Sequence, residues 1–236
     1  MSVAAPKLKL YTNHGCPWAH RAHIALAELG LPFEEEIIDL SVPRTQEYLK
    51  INPRGLVPSL SYDGEIITES AIVSQFLADA HPSHLVPVAG SKDAALRRAR
   101  INFFVDAYFS KANSHIFKLY GAKSEADTQE IAQNFVDAVV KEVEPLLQDA
   151  APYFGGSDKV TLAEVLTGSF TLRLFSFAKY ELIPKSIIAS LEEKAPNFYK
   201  WAQAVNNTPS VNQIYEEELV VERTKARLAT LRAASA

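Results

Sequence analysis

One cysteine stands in the 236-residue chain, Cys16. That scarcity excludes an intramolecular disulfide, a cysteine-rich zinc cluster and a dithiol redox pair, and no metal ligand set is expected. Whatever the thiol does, it does alone or with a thiol from outside. Positive charge is short as well: 24 Lys and Arg face 28 Asp and Glu, a formal charge of −4, with no dense basic cluster. Nucleic acid is therefore not an expected partner, because neutralising phosphates takes concentrated Lys and Arg. No segment approaches the ~20 consecutive apolar residues of a membrane span. The opening MSVAAPKLKLYTN has no apolar run behind a basic start, so the expectation is a cytoplasmic protein with no membrane partner.

What is present is an ordinary globular composition, 47% hydrophobic and 22% charged, in a chain long enough to be stabilised by burial alone. Residues 7–12 alternate like a strand, with Leu8 and Leu10 on one face, and a turn follows at 13–15. Residues 17–29 read as a helix, with Pro17 in its first turn and Gly30 just past its end. A strand near 33–39, a polar helical stretch near 45–50 and a turn at 52–55 come next. Asp63-Gly64 between the strand-like runs 57–62 and 65–68 is a strong hairpin signal, and 70–80 reads as a helix. The order β-α-β-α-β-β-α specifies a mixed sheet with helices packed on it, a thioredoxin-like arrangement.

Residues 81–91 hold two prolines and a glycine without periodicity, which puts a boundary there. The division is 1–82, a linker at 83–91, and 92–236. Everything after the linker reads as helical. A helix over 93–119 carries Leu96, Ala99, Phe103 and Ala107 at helical spacing, widened by Phe104 and Tyr108. A second covers 125–148, through Ile131, Phe135, Ala138 and Leu146. Thr161-Leu-Ala-Glu164 is a capping box with Val160 and Val165 at staple positions. Shorter helices fall near 185–193 and 197–207, and the last dozen residues read as a charged, Ala-rich tail. The fold class is thus α/β followed by all-α.

Cys16 lies between a strand and a helix, directly ahead of Pro17. An ordinary thiol, with a pKa of ~8.5, is only slightly ionised near neutrality, and the free amides at a helix start favour the thiolate. Arg21, one turn on, acts in the same direction, so Pro17 and Arg21 are read as positioning or tuning the sulfur. An inert buried cysteine is the commoner fate of a lone thiol. The strand–loop–helix context favours the reactive reading.

The run Gly15-Cys-Pro-Trp-Ala-His-Arg21, the segment Asn52-Pro-Arg-Gly-Leu-Val-Pro58, Glu69-Ser70 opening a helix, and the capping box resemble, in order and spacing, the motifs of cytosolic glutathione transferases. The similarity spans residues 7–210 and is nearest to omega-class and fungal omega-like members. Glu164, where the family usually has Asp, is a small departure.

The resemblance implies a glutathione-binding first domain, glutathione as co-substrate, a homodimer and thiol-transferase activity: deglutathionylation, or reduction of dehydroascorbate or glutathionyl adducts. Cys16 would attack a glutathionylated substrate and a second glutathione would resolve the mixed disulfide. It also implies a cis Val57–Pro58 bond, with Val57 pairing its backbone with the tripeptide. Glu69 and Ser70 would meet the γ-glutamyl end, and Lys50 the glycyl carboxylate, with Arg54 as a substitute. The acceptor site would lie between the domains, lined by Trp18, Phe104, Tyr108 and Phe109. His14, two residues before the thiol, stands as a charge that could tune it, and His20 and His23 read as structural. Conjugation of electrophiles, peroxide reduction and a non-catalytic regulatory role remain open at this level.

Overall fold

The structure is a computed structural model that describes residues 6–235. Strand β1 (Leu8–Thr12) leads into helix α1 (Pro17–Leu29), then β2 (Glu34–Ile37), α2 (Gln46–Ile51), β3 (Ser59–Tyr62), β4 (Glu65–Thr68) and α3 (Ser70–Ala80). The sheet order is β2-β1-β3-β4, with β1 and β2 parallel and the other pairs antiparallel. Leu8 and Leu10 on β1 and Leu60 on β3 are buried. Edge strand β2, Glu-Glu-Glu-Ile, is exposed throughout, and charge on an edge discourages pairing with another chain.

Local chemistry accounts for the turns. Gly30 takes the left-handed conformation at φ 62° and closes α1 onto the carbonyls of Ala27 and Leu26. Asp63 and Gly64 both have positive φ, as the tight hairpin between β3 and β4 requires.

The helical remainder begins with α4 (Ala94–Ala107), which runs through a π-helical turn (Tyr108–Asn113) into α5 (Ser114–Leu119). Helix α6 (Glu125–Ala138) likewise continues through a π-helical turn (Val139–Val143) into a 3-10 turn (Glu144–Leu147). Then come α7 (Leu162–Lys179), α8 (Ser186–Lys194), α9 (Pro196–Asn206), α10 (Pro209–Asn212) and α11 (Glu217–Ser235). No described helix is long and apolar enough to cross a membrane.

Two expectations need correction. On α4 the stripe containing Leu96 and Phe103 faces outward, these being 62% and 61% exposed, while Ile101, Phe104, Ala107 and Tyr108 are buried. The helix carries two apolar faces, and periodicity does not say which one meets the core. The supposed tail is helix up to Ser235, since Ala, Leu, Arg and Glu are strong helix formers, and Val220, Val221 and Leu228 anchor it.

One continuous core joins both halves: Leu10, Ile24, Leu60 and Leu77 belong to the same buried cluster as Phe104, Phe135, Val165 and Trp201. Helix α1 is sandwiched between α3 and α7. The segment between α3 and α4 is pinned rather than loose, with Leu85 and Val86 buried and the Leu162 amide donating to the Leu85 carbonyl at 2.8 Å.

Candidate functional site

The loop from β1 to α1 is tied to itself and to its neighbours. Asn13 accepts from the Gly15 amide through Oδ1 at 3.0 Å, and its carbonyl accepts from the Cys16 amide at 2.9 Å. Its Nδ2 donates to the Ile38 carbonyl at 2.9 Å. Cys16 is the cap residue of α1, in extended conformation with Pro17 behind it, and is half-buried. Its position puts the sulfur beside a helix start whose amides have no intrahelical acceptors.

Arg173, in the middle of α7, holds this loop from the helical side. Its Nη2 donates to the carbonyls of Gly15 at 3.2 Å and His14 at 3.4 Å, and its Nη1 to Ser169 at 3.0 Å. Nη1 also lies 3.3 Å from Nδ1 of His20, and the guanidinium stacks over Tyr215 at 4.9 Å. Ser169 adds a bond to the Pro17 carbonyl at 2.8 Å. Burial lowers the Arg173 pKa. No sequence motif marks Arg173. The available signal was a lone arginine inside the apolar run Phe170-Thr-Leu-Arg-Leu-Phe175.

Arg21 is also buried, but it runs away from the loop. It donates through Nε to the Leu166 carbonyl at 2.7 Å and through Nη1 to Ser70 Oγ at 3.0 Å. Burial brings its pKa down to about 9, against the charge of Tyr108 and Cys16, so it stays a cation at neutrality. His20 is fully buried, and burial followed by the charge of Arg173 holds it well below its usual range, hence neutral. His23 is pushed down to about 4, chiefly by burial, with Glu35 opposing.

On the other side of Cys16 a small cluster of Tyr11, Ala19, Ile38, Tyr48 and Val57 packs against it. The Val57–Pro58 bond is cis. The turn before it is buttressed by Asn52, which opens the motif, and by Tyr48, which sequence reading passed over: Tyr48 donates to the Leu56 carbonyl at 2.6 Å and Asn52 to the same oxygen at 2.9 Å. Ser70 opens α3, and because Arg21 occupies an oxygen lone pair, its hydroxyl hydrogen is left for a ligand. Glu69 is ion-paired with Arg54 at this same end of the site. Lys50 lies exposed in the last turn of α2 without an ion-pair partner among the described residues.

The aromatic residues divide. Trp18, 37% exposed, stacks with Phe109 at 5.6 Å and Phe117 at 6.5 Å and meets Phe170 edge-on at 4.7 Å. Arg21 lies 4.6 Å from the rings of both Trp18 and Phe109. Phe104 and Tyr108 are both buried, Phe104 against Phe154 and Trp201, and neither exposes a ring to this surface. Phe117, 44% exposed, stands beside Trp18, while Phe170, itself buried, backs it.

The arrangement is a half-buried thiol at a helix start, a backbone edge beside it and a charged, hydroxyl-bearing helix start beyond. Residues 15–80 match the glutathione S-transferase N-terminal domain. Over 216 residues the chain is 30% identical to a probable glutathione S-transferase of rice, Oryza sativa subsp. japonica, covering 85% of this chain and 88% of that one. Among solved structures it is similar to glutathione transferase Omega 1C of Trametes versicolor, with 26% identity, a TM-score of 0.81, and coverage of 96% of this chain and 98% of that one. A rice glutathione transferase solved in complex with glutathione gives 27% identity, a TM-score of 0.82, and coverage of 97% and 99%.

Proposed function

The chain belongs to the glutathione transferase family, and from that premise we propose that it is a glutathione-dependent thiol transferase whose nucleophile is Cys16. Glutathione docks with its cysteinyl backbone against Val57, next to Pro58. Its γ-glutamyl end meets the Ser70 hydroxyl, the free amides of α3 and the Glu69 carboxylate. Lys50 attracts the glycyl carboxylate.

The Cys16 thiolate attacks the glutathionyl sulfur of a mixed disulfide. The Cys16–glutathione S–S bond forms, the original S–S bond breaks, and the acceptor leaves as a thiolate that takes a proton from water. A second glutathione thiolate then attacks the glutathionyl sulfur, releasing oxidised glutathione and restoring Cys16. Two electrons pass from glutathione to the acceptor. Trp18, Phe109 and Phe117 offer the acceptor an apolar platform.

The observation that carries the reading is that the chain's one cysteine, half-buried, occupies the N-cap position of α1 beside the cis Val57–Pro58 turn, with no second cysteine to resolve it. Cys16→Ala is expected to abolish turnover of hydroxyethyl disulfide, and intact mass after exposure to oxidised glutathione is expected to gain one glutathione in the parent only. Full disulfide turnover by the variant would refute the assignment. Turnover of 1-chloro-2,4-dinitrobenzene that survives Cys16→Ala and exceeds disulfide turnover would identify conjugation instead. A cytoplasmic homodimer is part of the same reading: exposed Ile72 on α3 and Leu96 and Phe103 on α4 provide apolar surface for a second copy, and sedimentation reads the mass directly.

A further inference from the structure

One cluster of ligating side chains lies outside the glutathione site. His14 comes from the β1–α1 loop, His23 from the middle of α1 and Glu35 from β2. Nε2 of His14 is 2.6 Å from Oε1 of Glu35, and Nε2 of His23 is 3.4 Å from the same oxygen. The three donor atoms all lie within 4.8 Å of one another. The two imidazoles meet nearly perpendicular, centroids 5.3 Å apart, so both nitrogens point at one carboxylate instead of stacking. A simple ion pair needs one imidazole; a second converging on the same oxygen is the arrangement of a chelate.

Two imidazoles and one carboxylate are a donor set suited to zinc and its first-row neighbours, with water filling the open positions. Metal–ligand bonds of ~2.0–2.2 Å place tetrahedral donors roughly 3.3 Å apart. The present spacings bracket that value, so small side-chain rotations admit an ion.

The three positions are held independently. Glu35 is fixed by its register with Leu10, and the His14 loop by Asn13 and Arg173. Nε2 of His23, the donor atom of the cluster, lies 2.9 Å from Thr12 Oγ1, a contact that an ion displaces by rotation of the hydroxyl, and Phe33 meets the ring in a T-shaped contact. His23 is 5% exposed while His14 and Glu35 are about one-third exposed, which gives a fixed floor and an open mouth.

We propose that His14, His23 and Glu35 form a three-ligand site for a divalent transition-metal ion of the zinc type, which staples the loop carrying Cys16 to β2. The composition, poor in cysteine, pointed away from any metal; the ligands are histidine and carboxylate. The site stands whether or not Cys16 transfers thiols.

The test uses untagged, metal-stripped full-length protein carrying Cys16→Ser, so that the thiol is not a competing ligand. Calorimetric titration with zinc chloride is expected to show one ion per chain. Cobalt(II) is expected to give visible d–d absorption without a thiolate charge-transfer band. His14→Ala and Glu35→Gln, both partly exposed and so tolerated by the fold, are each expected to weaken zinc at least ~10-fold and to remove the rise in melting temperature that zinc gives the parent. Absence of saturable binding, binding unchanged in both variants, or binding that requires Cys16 would each overturn the proposal.

Discussion

Arg173 occupies the middle of a largely buried helix, and its guanidinium reaches back to the carbonyls of His14 and Gly15. Replacing it with Met keeps length and removes charge and donors. The His14, Gly15 and Ser169 carbonyls then lose a charged donor, so a loss of stability is expected alongside a loss of the sulfur's reactivity. Alkylation of Cys16 by iodoacetamide at neutral pH is expected to slow about tenfold in the folded protein, equivalent to about 1.4 kcal/mol, and the urea midpoint to fall. Equal alkylation rates in variant and parent would mean that Arg173 serves the fold alone.

This residue also marks the limit of sequence reading. Cys16, Val57 and Ser70 sit in short motifs whose neighbours suggest the roles proposed for them, whereas Arg173 reaches Gly15 across 158 residues of chain. Phe104 was misplaced for another reason. Phe104, Tyr108 and Phe109 form one broad aromatic stripe, and which part of it meets the core is decided by tertiary packing, here against Phe154 and Trp201, that no local spacing shows.

Among the elements, α7 depends most on a single side chain. Glu164 accepts four hydrogen bonds: through Oε1 from the Phe154 amide at 2.8 Å and Trp201 Nε1 at 2.7 Å, and through Oε2 from the amide and hydroxyl of Thr161 at 2.8 and 2.7 Å. Burial pushes its pKa up and these donors pull it down. The capping box was legible from Thr161 and Glu164 alone. The links to Phe154 and α9 were not, because they are tertiary; the extra methylene relative to Asp extends the carboxylate towards them. Glu164→Ala strands the Phe154 and Trp201 donors in the core and is expected to cost about 3–5 kcal/mol. A melting temperature lower by roughly 10 °C is the corresponding shift, and a change under a degree would show that water replaces the carboxylate.

At the scale of the molecule, the continuous core makes the sheet and the helical bundle one cooperative unit, with His20 at their junction. Its folded pKa lies below the reference 6.5, so the fold requires the neutral ring. That stabilisation is complete above the unfolded value and is lost as pH falls beneath it, because only the unfolded chain takes the proton easily. The urea midpoint is therefore expected to drop between pH 7 and pH 5, and less steeply in His20→Gln; parallel slopes would assign the acid sensitivity to other groups.

The grip of α7 on the cysteine loop has a temporal side. A ribosome adding ~5–20 residues per second releases Cys16 on the order of ten seconds before Arg173. For that interval the nascent loop lacks the bonds that the guanidinium gives the His14 and Gly15 carbonyls, so it takes its final shape only after most of the chain has been made.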